Sequence, residues 1–204
     1  ESQLKELHHA GQGSRAPTPQ PANRKEPRVY ASLAEFKMSF AHVVDVYEYL
    51  NPETGKVELI KLRIEPPGKK KYFVQARYDV DGVRVVMEAP PKPWPIFNRT
   101  LVSQNEDIIV VEGEKAVKAL RRAGWVATTS STGAGKGKAA HTDWSPLRNK
   151  NVFLWPDHDP VDENGERPGH EFMREVAEHL RPLDCRLYWI DPAKLNLGDK
   201  EDAA

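Results

Sequence analysis

Cysteine is almost absent from this sequence of 204 residues, which contains only Cys185. A single cysteine excludes an internal disulfide bond, and it also excludes a zinc ribbon within the chain, which needs several cysteine or histidine ligands. The residue lies in the apolar run CRLYWI, so we interpret it as a small core side chain. This cysteine content is typical of a reducing compartment, and we expect a cytoplasmic protein.

Long apolar runs are also missing. No run approaches the roughly 20 residues that span a bilayer, and no charged and then apolar leader precedes a small-residue cleavage site. These absences argue against membrane insertion and secretion, and we expect a soluble globular protein. Because the sequence begins with Glu1 rather than methionine, we also expect a piece of a longer polypeptide.

The formal net charge is zero, with 30 basic and 30 acidic side chains. Residues 1–100 carry 16 basic and 12 acidic side chains, which leaves 14 and 18 for residues 101–204. A mildly basic first half suits contacts with phosphates, and a mildly acidic second half suits a divalent cation. Ordinary surface charge explains so small an imbalance equally well.

Composition and periodicity divide the chain into three segments. Residues 1–28 are rich in proline, glutamine and serine, and we interpret them as a linker. After a short helix near residues 32–38, four runs within residues 29–99 alternate apolar and polar side chains, which predicts a small antiparallel β-rich subdomain. Its strongest hairpin signal is Asp81-Gly82. The proline-rich residues 89–95 predict an extended connection to the next segment.

Residues 100–204 alternate apolar strands with helices, the pattern of a mostly parallel sheet with helices on both faces. The predicted strands are DIIVV, WVATTSS, NVFLW and CRLYWI. Helices are expected after the first strand, with Val117, Leu120 and Ala123 on one apolar face, and over about 169–181. The predicted fold class is therefore α/β, with the antiparallel subdomain preceding the parallel sheet.

Acidic side chains follow two of the predicted strands. Glu112 follows DIIVV, and Asp157 and Asp159 follow NVFLW. Because ligands of an open α/β sheet bind at the carboxyl ends of its strands, we expect these side chains to lie close together. Carboxylates are ligands that Mg²⁺ prefers, and Glu112 is also a candidate general base. Two alternatives remain open: Glu112 complements a helix dipole, and the aspartates cap the following helix.

These acidic segments, VVEGEKAVKAL and WPDHD, resemble the two motifs of the Toprim domain, which bacterial-type primases, topoisomerases and some nucleases share. Gly169 stands where a glycine follows the second motif, after a polar insertion over residues 160–168 that contains Asp162. The resemblance implies a Toprim-like sheet with Glu112, Asp157 and Asp159 as catalytic and metal-binding residues, and Mg²⁺ or Mn²⁺ as the cofactor.

Flanking segments are similar to the catalytic cores of phage and plasmid primases. NPETGKVELIKLR, with Gly55 and Arg63, resembles part of the subdomain that precedes Toprim, and WPIFNRTL resembles the aromatic linker into the first Toprim strand. The small-residue loop beginning ATTSSTGAGKGK follows the second strand. DPAKLNLGDKEDAA, with Asp199 and Asp202, resembles the acidic tail that closes the domain. The resemblance covers about residues 29–204.

This resemblance implies the core of a DnaG-type primase from a phage or mobile element, which synthesises short primers. The implied partners are a single-stranded DNA template, nucleoside triphosphates and a replicative helicase, either fused or separate, but no membrane. Two other functions remain open. One is DNA cleavage by a Toprim nuclease or topoisomerase; the other is a non-catalytic module that binds nucleic acid, which Ala116 favours because primases often have an acid at that position.

Basic side chains supply candidate contacts to nucleic acid or nucleotide. They lie on the β-rich subdomain and in the glycine-rich loop, at Lys61, Arg63, Lys69, Lys70, Lys71, Arg77, Lys136 and Lys138. A hairpin edge protected by lysines and a solvated loop are the alternatives. The loop is not a P-loop, because no glycine precedes Gly135-Lys136 at the required spacing and Gly137 replaces the Ser or Thr.

Overall fold

The computed structural model describes residues 26–161, 163, 165 and 167–195. Its first part is a five-stranded antiparallel sheet in the order β1-β5-β4-β3-β2. The elements are β1 (Val29–Tyr30), α1 (Leu33–Met38), β2 (Val43–Leu50), β3 (Val57–Ile64), β4 (Tyr72–Tyr78) and β5 (Val85–Val86). The predicted antiparallel arrangement is confirmed, with β1 as an additional edge strand.

Local sequence explains the ends of these elements. Ser32 caps α1, because its hydroxyl oxygen accepts the backbone N–H of Glu35 at 3.2 Å. The turn between β4 and β5 lies at Asp81-Gly82, as predicted, and Gly82 has a φ of 73°, which favours glycine. Phe36 of α1 is fully buried against the apolar face of the sheet. These contacts give the antiparallel sheet its own core.

The proline-rich connection, predicted to be extended, instead bends over residues 91–93, and its end pairs with a distant segment. Its strand β6 (Trp94–Pro95) lies parallel to β9 (Thr142–Asp143), with Trp94 opposite Thr142. Helix α2 (Arg99–Gln104) then leads into the second sheet. The pairing fixes the connection beside the second sheet.

The second sheet is parallel throughout, in the order β11-β10-β7-β8. Its elements are β7 (Asp107–Val110), α3 (Glu114–Arg122), β8 (Ala127–Thr128), β10 (Asn151–Leu154), α4 (Pro168–Leu180) and β11 (Arg186–Trp189). The predicted α/β fold class, with helices flanking a parallel sheet behind an antiparallel one, is confirmed.

Successive side chains along β7 point alternately into two separate hydrophobic cores. Ile108 and Val110 pack with α4 on one face, whereas Ile109 and Val111 pack with α3 on the other. The predicted apolar face of α3 needs one correction, because Ala123 caps the carboxyl end of the helix and is exposed. Ala116 is buried beside Val117 and Leu120, so the apolar face begins nearer the amino end.

Some expectations concern residues that the structure does not describe. Asp162, Asp199, Asp202 and most of the linker 1–28 lie outside the described residues. The subdomain boundary between residues 99 and 100 stays a prediction. Within the described part of the chain, no helix has the length and apolar character needed to cross a membrane.

Leu154 tests the packing that positions the end of β10. It is fully buried between strand and α4, so Leu154→Ala leaves a cavity and should lower the free energy of unfolding by about 2–5 kcal/mol. The control is Leu50→Ala, at a side chain that is 43% exposed, with an expected loss below about 1 kcal/mol. Equal losses in urea unfolding of the two variants would contradict this account of the core.

Candidate active site

The acidic residues lie where two adjacent parallel strands end. Strands β7 and β10 pair in register, with Val110 opposite Leu154, and the backbone N–H of Trp155 donates to the carbonyl of Val110 at 2.9 Å. Oε1 of Glu112 accepts the backbone N–H of Asp157 at 3.0 Å. The structure therefore brings the two strand-to-helix junctions side by side.

Asp159 occupies a different position from Asp157. Its Oδ2 accepts the backbone N–H of Gly169 at 3.2 Å, so it caps the amino end of α4, where Arg167 itself supplies no side-chain cap. The side chain of Arg167 also donates to the backbone carbonyl of Asp159. This is the capping alternative, realised for Asp159, and the role of Asp159 as a metal ligand stays a prediction.

Gly169 allows α4 to approach the acidic junctions closely. A Cβ at this position would collide with Oε1 of Glu112 and lie 3.0 and 3.1 Å from the backbone O and N of Asp157. A glycine is therefore required here by contact rather than by backbone conformation. The sequence comparison with Toprim motifs singled out Gly169, but it gave no physical reason for the glycine.

A cleft of about 830 Å³ opens in front of the junctions. Glu112 and Asp157 line it on the side of the parallel sheet, whereas Asp159 does not. The antiparallel sheet contributes neighbouring side chains of β3 and β4, because Arg63 pairs with Phe73 and Lys61 with Gln75. Among the residues that the structure describes, six cations line this cleft: Lys61, Arg63, Lys71, Lys92, Lys115 and Lys138.

The predicted basic residues fall into two groups. Lys61, Arg63, Lys71 and Lys138 line the cleft, whereas Lys69, Lys70 and Lys136 are exposed outside it. Arg77 also lies outside the cleft, and its guanidinium forms an ion pair with Glu88 at 3.1 Å. The cleft therefore includes four of the eight predicted contacts, and it adds Lys92 and Lys115, which were not in that set.

Glu114 joins the two sheets at the edge of the cleft. Its Oε1 lies 2.6 Å from the ammonium of Lys61 on β3 and accepts the hydroxyl of Tyr49 on β2 at 2.5 Å. Only 3% of the Glu114 side chain and 4% of the Lys61 side chain are exposed. Burial lowers the pKa of Lys61 despite the nearby carboxylate, and burial together with the charge of Glu114 raises the pKa of Tyr49 well above its usual value.

Further contacts support this joint. The ammonium of Lys118 on α3 lies 2.6 Å from Oδ1 of Asp45, and Phe97 packs against the rings of Tyr47 and Tyr49. Sequence analysis missed Glu114 and Tyr49 as site residues, although the glutamate stands only two positions after Glu112. Their location beside the cleft depends on sheet-to-helix packing, which no local pattern signals.

The residue types at the junctions suit a hard cation, because Glu112 and Asp157, which both line the cleft, carry carboxylate oxygens. In the described residues, no three His, Cys, Asp or Glu side chains are grouped to hold one ion. Two carboxylates nevertheless match the usual Mg²⁺ site, which keeps several waters and is completed by substrate phosphates. The arrangement is compatible with an ion that binds together with a phosphorylated ligand.

Solved structures of primases are similar in fold to this chain. The zinc-binding and RNA polymerase domains of the Aquifex aeolicus primase match with a TM-score of 0.53 and 15% identity, covering 81% of this chain and 36% of that one. This chain has the fold of a DnaG-type primase core. The primase fragment of the bacteriophage T7 primase-helicase is also similar, with a TM-score of 0.45 and 19% identity, covering 78% of this chain and 55% of that one.

The extent of the match to this primase fold is limited. The chain spans about half of the T7 fragment and about a third of the Aquifex chain. No protein-family model and no curated protein sequence matches the chain. The primase likeness is therefore one of fold, and the chemistry must be argued from the side chains in the cleft.

Gly169→Ala tests the close approach of α4. The added Cβ must displace Glu112 or α4, so we expect a loss of about 1–3 kcal/mol in the free energy of unfolding. The matched control is Gly113→Ala, whose Cβ meets nothing within 4 Å, with a loss below about 1 kcal/mol. Chemical denaturation measures both, and a smaller loss at Gly169 than at Gly113 would contradict the contact.

Glu114→Gln tests the buried joint. It leaves the buried Lys61 cation without its counter-charge, so the free energy of unfolding should fall by about 3 kcal/mol. Glu88→Gln, in the more exposed pair with Arg77, should cost at most about 1 kcal/mol. Adding Lys61→Met to Glu114→Gln should restore part of the loss in the same unfolding measurement. An equal loss for the two single variants would refute the account.

Proposed function

We propose that this chain is the catalytic core of a primase that synthesises short primers from nucleoside triphosphates on single-stranded DNA. The observation that carries the proposal is the composition of the cleft, which Glu112 and Asp157 line together with six cationic side chains. Template and triphosphate are both polyanions, so the cations attract them, while carboxylates repel phosphates unless a divalent cation lies between them. Primer synthesis uses both features in one site.

In the proposed site, Glu112, Asp157 and Asp159 hold Mg²⁺ or Mn²⁺, which supplies the positive charge that neutralises phosphate oxygens during transfer. Asp159 would have to leave the amino end of α4 to join the other two ligands. Glu112 and Asp157 are therefore the primary candidates, and Asp159 is the ligand that binding of the ion would recruit.

The proposed reaction joins a nucleotide to the primer. The 3′-hydroxyl attacks the α-phosphate, a new phosphodiester bond forms, and pyrophosphate leaves. Glu112 accepts the hydroxyl proton or binds the cation. Arg63 and Lys138, together with the other cations of the cleft, hold the triphosphate and the template backbone against the acidic edge.

The remaining partners follow from the same proposal. Lys69, Lys70 and Lys136 lie exposed beyond the cleft, where they would extend the path of the DNA backbone. Arg77 would first have to release Glu88. A subdomain of residues 29–99 would carry the template, and a Toprim domain of residues 100–204 the metal. A replicative helicase, fused or separate, would deliver the single strand.

Primer synthesis on single-stranded DNA with labelled nucleotides and Mg²⁺ tests the function. Asp157→Asn and Glu112→Gln should each lower the rate by about 100-fold or more, because each removes a carboxylate that would hold the divalent cation neutralising the phosphate oxygens. Asp81→Asn, in the exposed β4–β5 turn, is the matched control and should keep the full rate.

Undiminished synthesis by Asp157→Asn would refute the assignment. Cutting of the DNA without nucleotide incorporation would instead identify a Toprim nuclease. If the wild-type chain binds single-stranded DNA but neither incorporates nor cuts with Mg²⁺ or Mn²⁺, the chain is a non-catalytic binding module. Thermal unfolding of each variant checks that the fold is intact.

A further inference from the structure

Two aromatic rings also line the cleft that contains the acidic residues. Trp94 on β6 and His141, next to β9, meet edge to face, with ring centroids 6.2 Å apart and an interplanar angle of 68°. Both line the cleft with Glu112 and Asp157. The pairing of β6 with β9 places these rings together, although they are distant in sequence.

A hydrogen bond to the backbone fixes the orientation of the Trp94 indole. Its Nε1–H donates to the carbonyl of Pro90 at 2.7 Å, so the polar atom of the ring is already satisfied. Trp144, by contrast, is 4% exposed and belongs to the core beneath the sheet. Trp94 is half-buried and lines the cleft, and the indole carbons are its part that has no polar partner to find.

Two polar groups accompany this ring surface. The ammonium of Lys92 lies over one face of the Trp94 ring, 5.3 Å from its centroid, which leaves the opposite face for a base. Ser131 also lines the cleft and is 2% exposed, and its Oγ makes no hydrogen bond with any part of the chain that the structure describes. A buried hydroxyl without a partner loses free energy that a polar ligand atom would restore.

A backbone contact joins the chain segment after Trp94 to the segment before Ser131. The backbone N–H of Phe97 donates to the carbonyl of Thr129 at 2.9 Å, so the segment with Trp94 runs beside the segment with Ser131. The carbonyl of Ser131 also accepts from the side chain of Gln75 on β4. The serine is thus held between the two sheets.

We propose that Trp94, held in place by its edge-to-face contact with His141, forms a stacking surface for a nucleobase, with Ser131 bonding the edge of the base and Lys92 bonding an adjacent phosphate. Aromatic rings beside cations are the means by which proteins bind unpaired bases without sequence preference. The inference rests on the proposed primer synthesis and specifies its ligand contacts. The base belongs either to the single-stranded template or to the incoming nucleotide.

Binding without divalent cations tests the surface independently of catalysis. Trp94→Leu removes the aromatic face and Trp94→Phe keeps one, while Trp125→Leu is the matched control at a tryptophan that is 60% exposed outside the cleft. One arm compares a single-stranded oligonucleotide with the same oligonucleotide carrying abasic sites, by fluorescence anisotropy. The other compares a nucleoside triphosphate with ribose 5-triphosphate, which lacks the base, by calorimetry.

Trp94→Leu should weaken binding of the ligand that carries the base by about 5- to 150-fold in one of the two arms. Binding of the base-free ligand should change less than about twofold, and Trp94→Phe and Trp125→Leu should retain most of the affinity. The arm that shows the selective loss identifies the template or the nucleotide as the source of the base. His141→Ala, which keeps Trp94 but removes the ring that holds it, should reproduce the selectivity with a smaller loss.

Equal weakening with and without the base, or no weakening in either arm, would overturn the proposal. If Trp94→Leu unfolds, His141→Ala decides, since wild-type affinity of His141→Ala for the ligand that carries the base refutes the proposed stacking surface. A chain that binds bases selectively but makes no primers keeps the surface and loses the proposed function. If the wild-type chain makes primers but Trp94→Leu binds the base-carrying ligand with unaltered affinity, the proposed function stands and the stacking surface is refuted.

Discussion

One carboxylate oxygen connects the two sheets of this protein. Oε1 of Glu114 is within 2.6 Å of the Lys61 ammonium and accepts the Tyr49 hydroxyl, and all three side chains are buried. Because Glu114 opens α3 just after Glu112, whatever holds α3 against the antiparallel sheet also sets the distance between the acidic edge and the basic residues opposite. The cleft is a consequence of that joint.

The cleft brings together acidic and basic side chains from separate parts of the sequence, and the fold holds each group in place. The acidic group is a product of register, since β7 and β10 end side by side and Glu112 accepts a hydrogen bond from the backbone of Asp157. The basic group is a product of strand alternation, which puts Lys61 and Arg63 on one face of β3. The primase-like fold supplies the frame, and the side chains of this chain supply the chemistry.

Periodicity predicted most of the fold because each core strand and helix has a clear apolar face, and the acids after two apolar strands predicted where the sheet edge would lie. Contacts between segments distant in sequence were beyond such patterns. Tyr49 and Glu114 are 65 positions apart, and the β6–β9 pair has only two residues in each strand. Ala123 was misplaced because α3 ends at Arg122, one residue too early for it to pack.

The polar insertion after β10 is closed at its base. Arg167 donates to the carbonyl of Asp159, and the backbone N–H of Gly169 donates to its carboxylate, so both ends of the insertion meet at a single residue. Lengthening a segment whose ends are already joined costs little entropy, because loop closure depends only logarithmically on length. A longer or shorter insertion, or a new structural element within it, should therefore leave the positions of Glu112 and Asp157 unchanged.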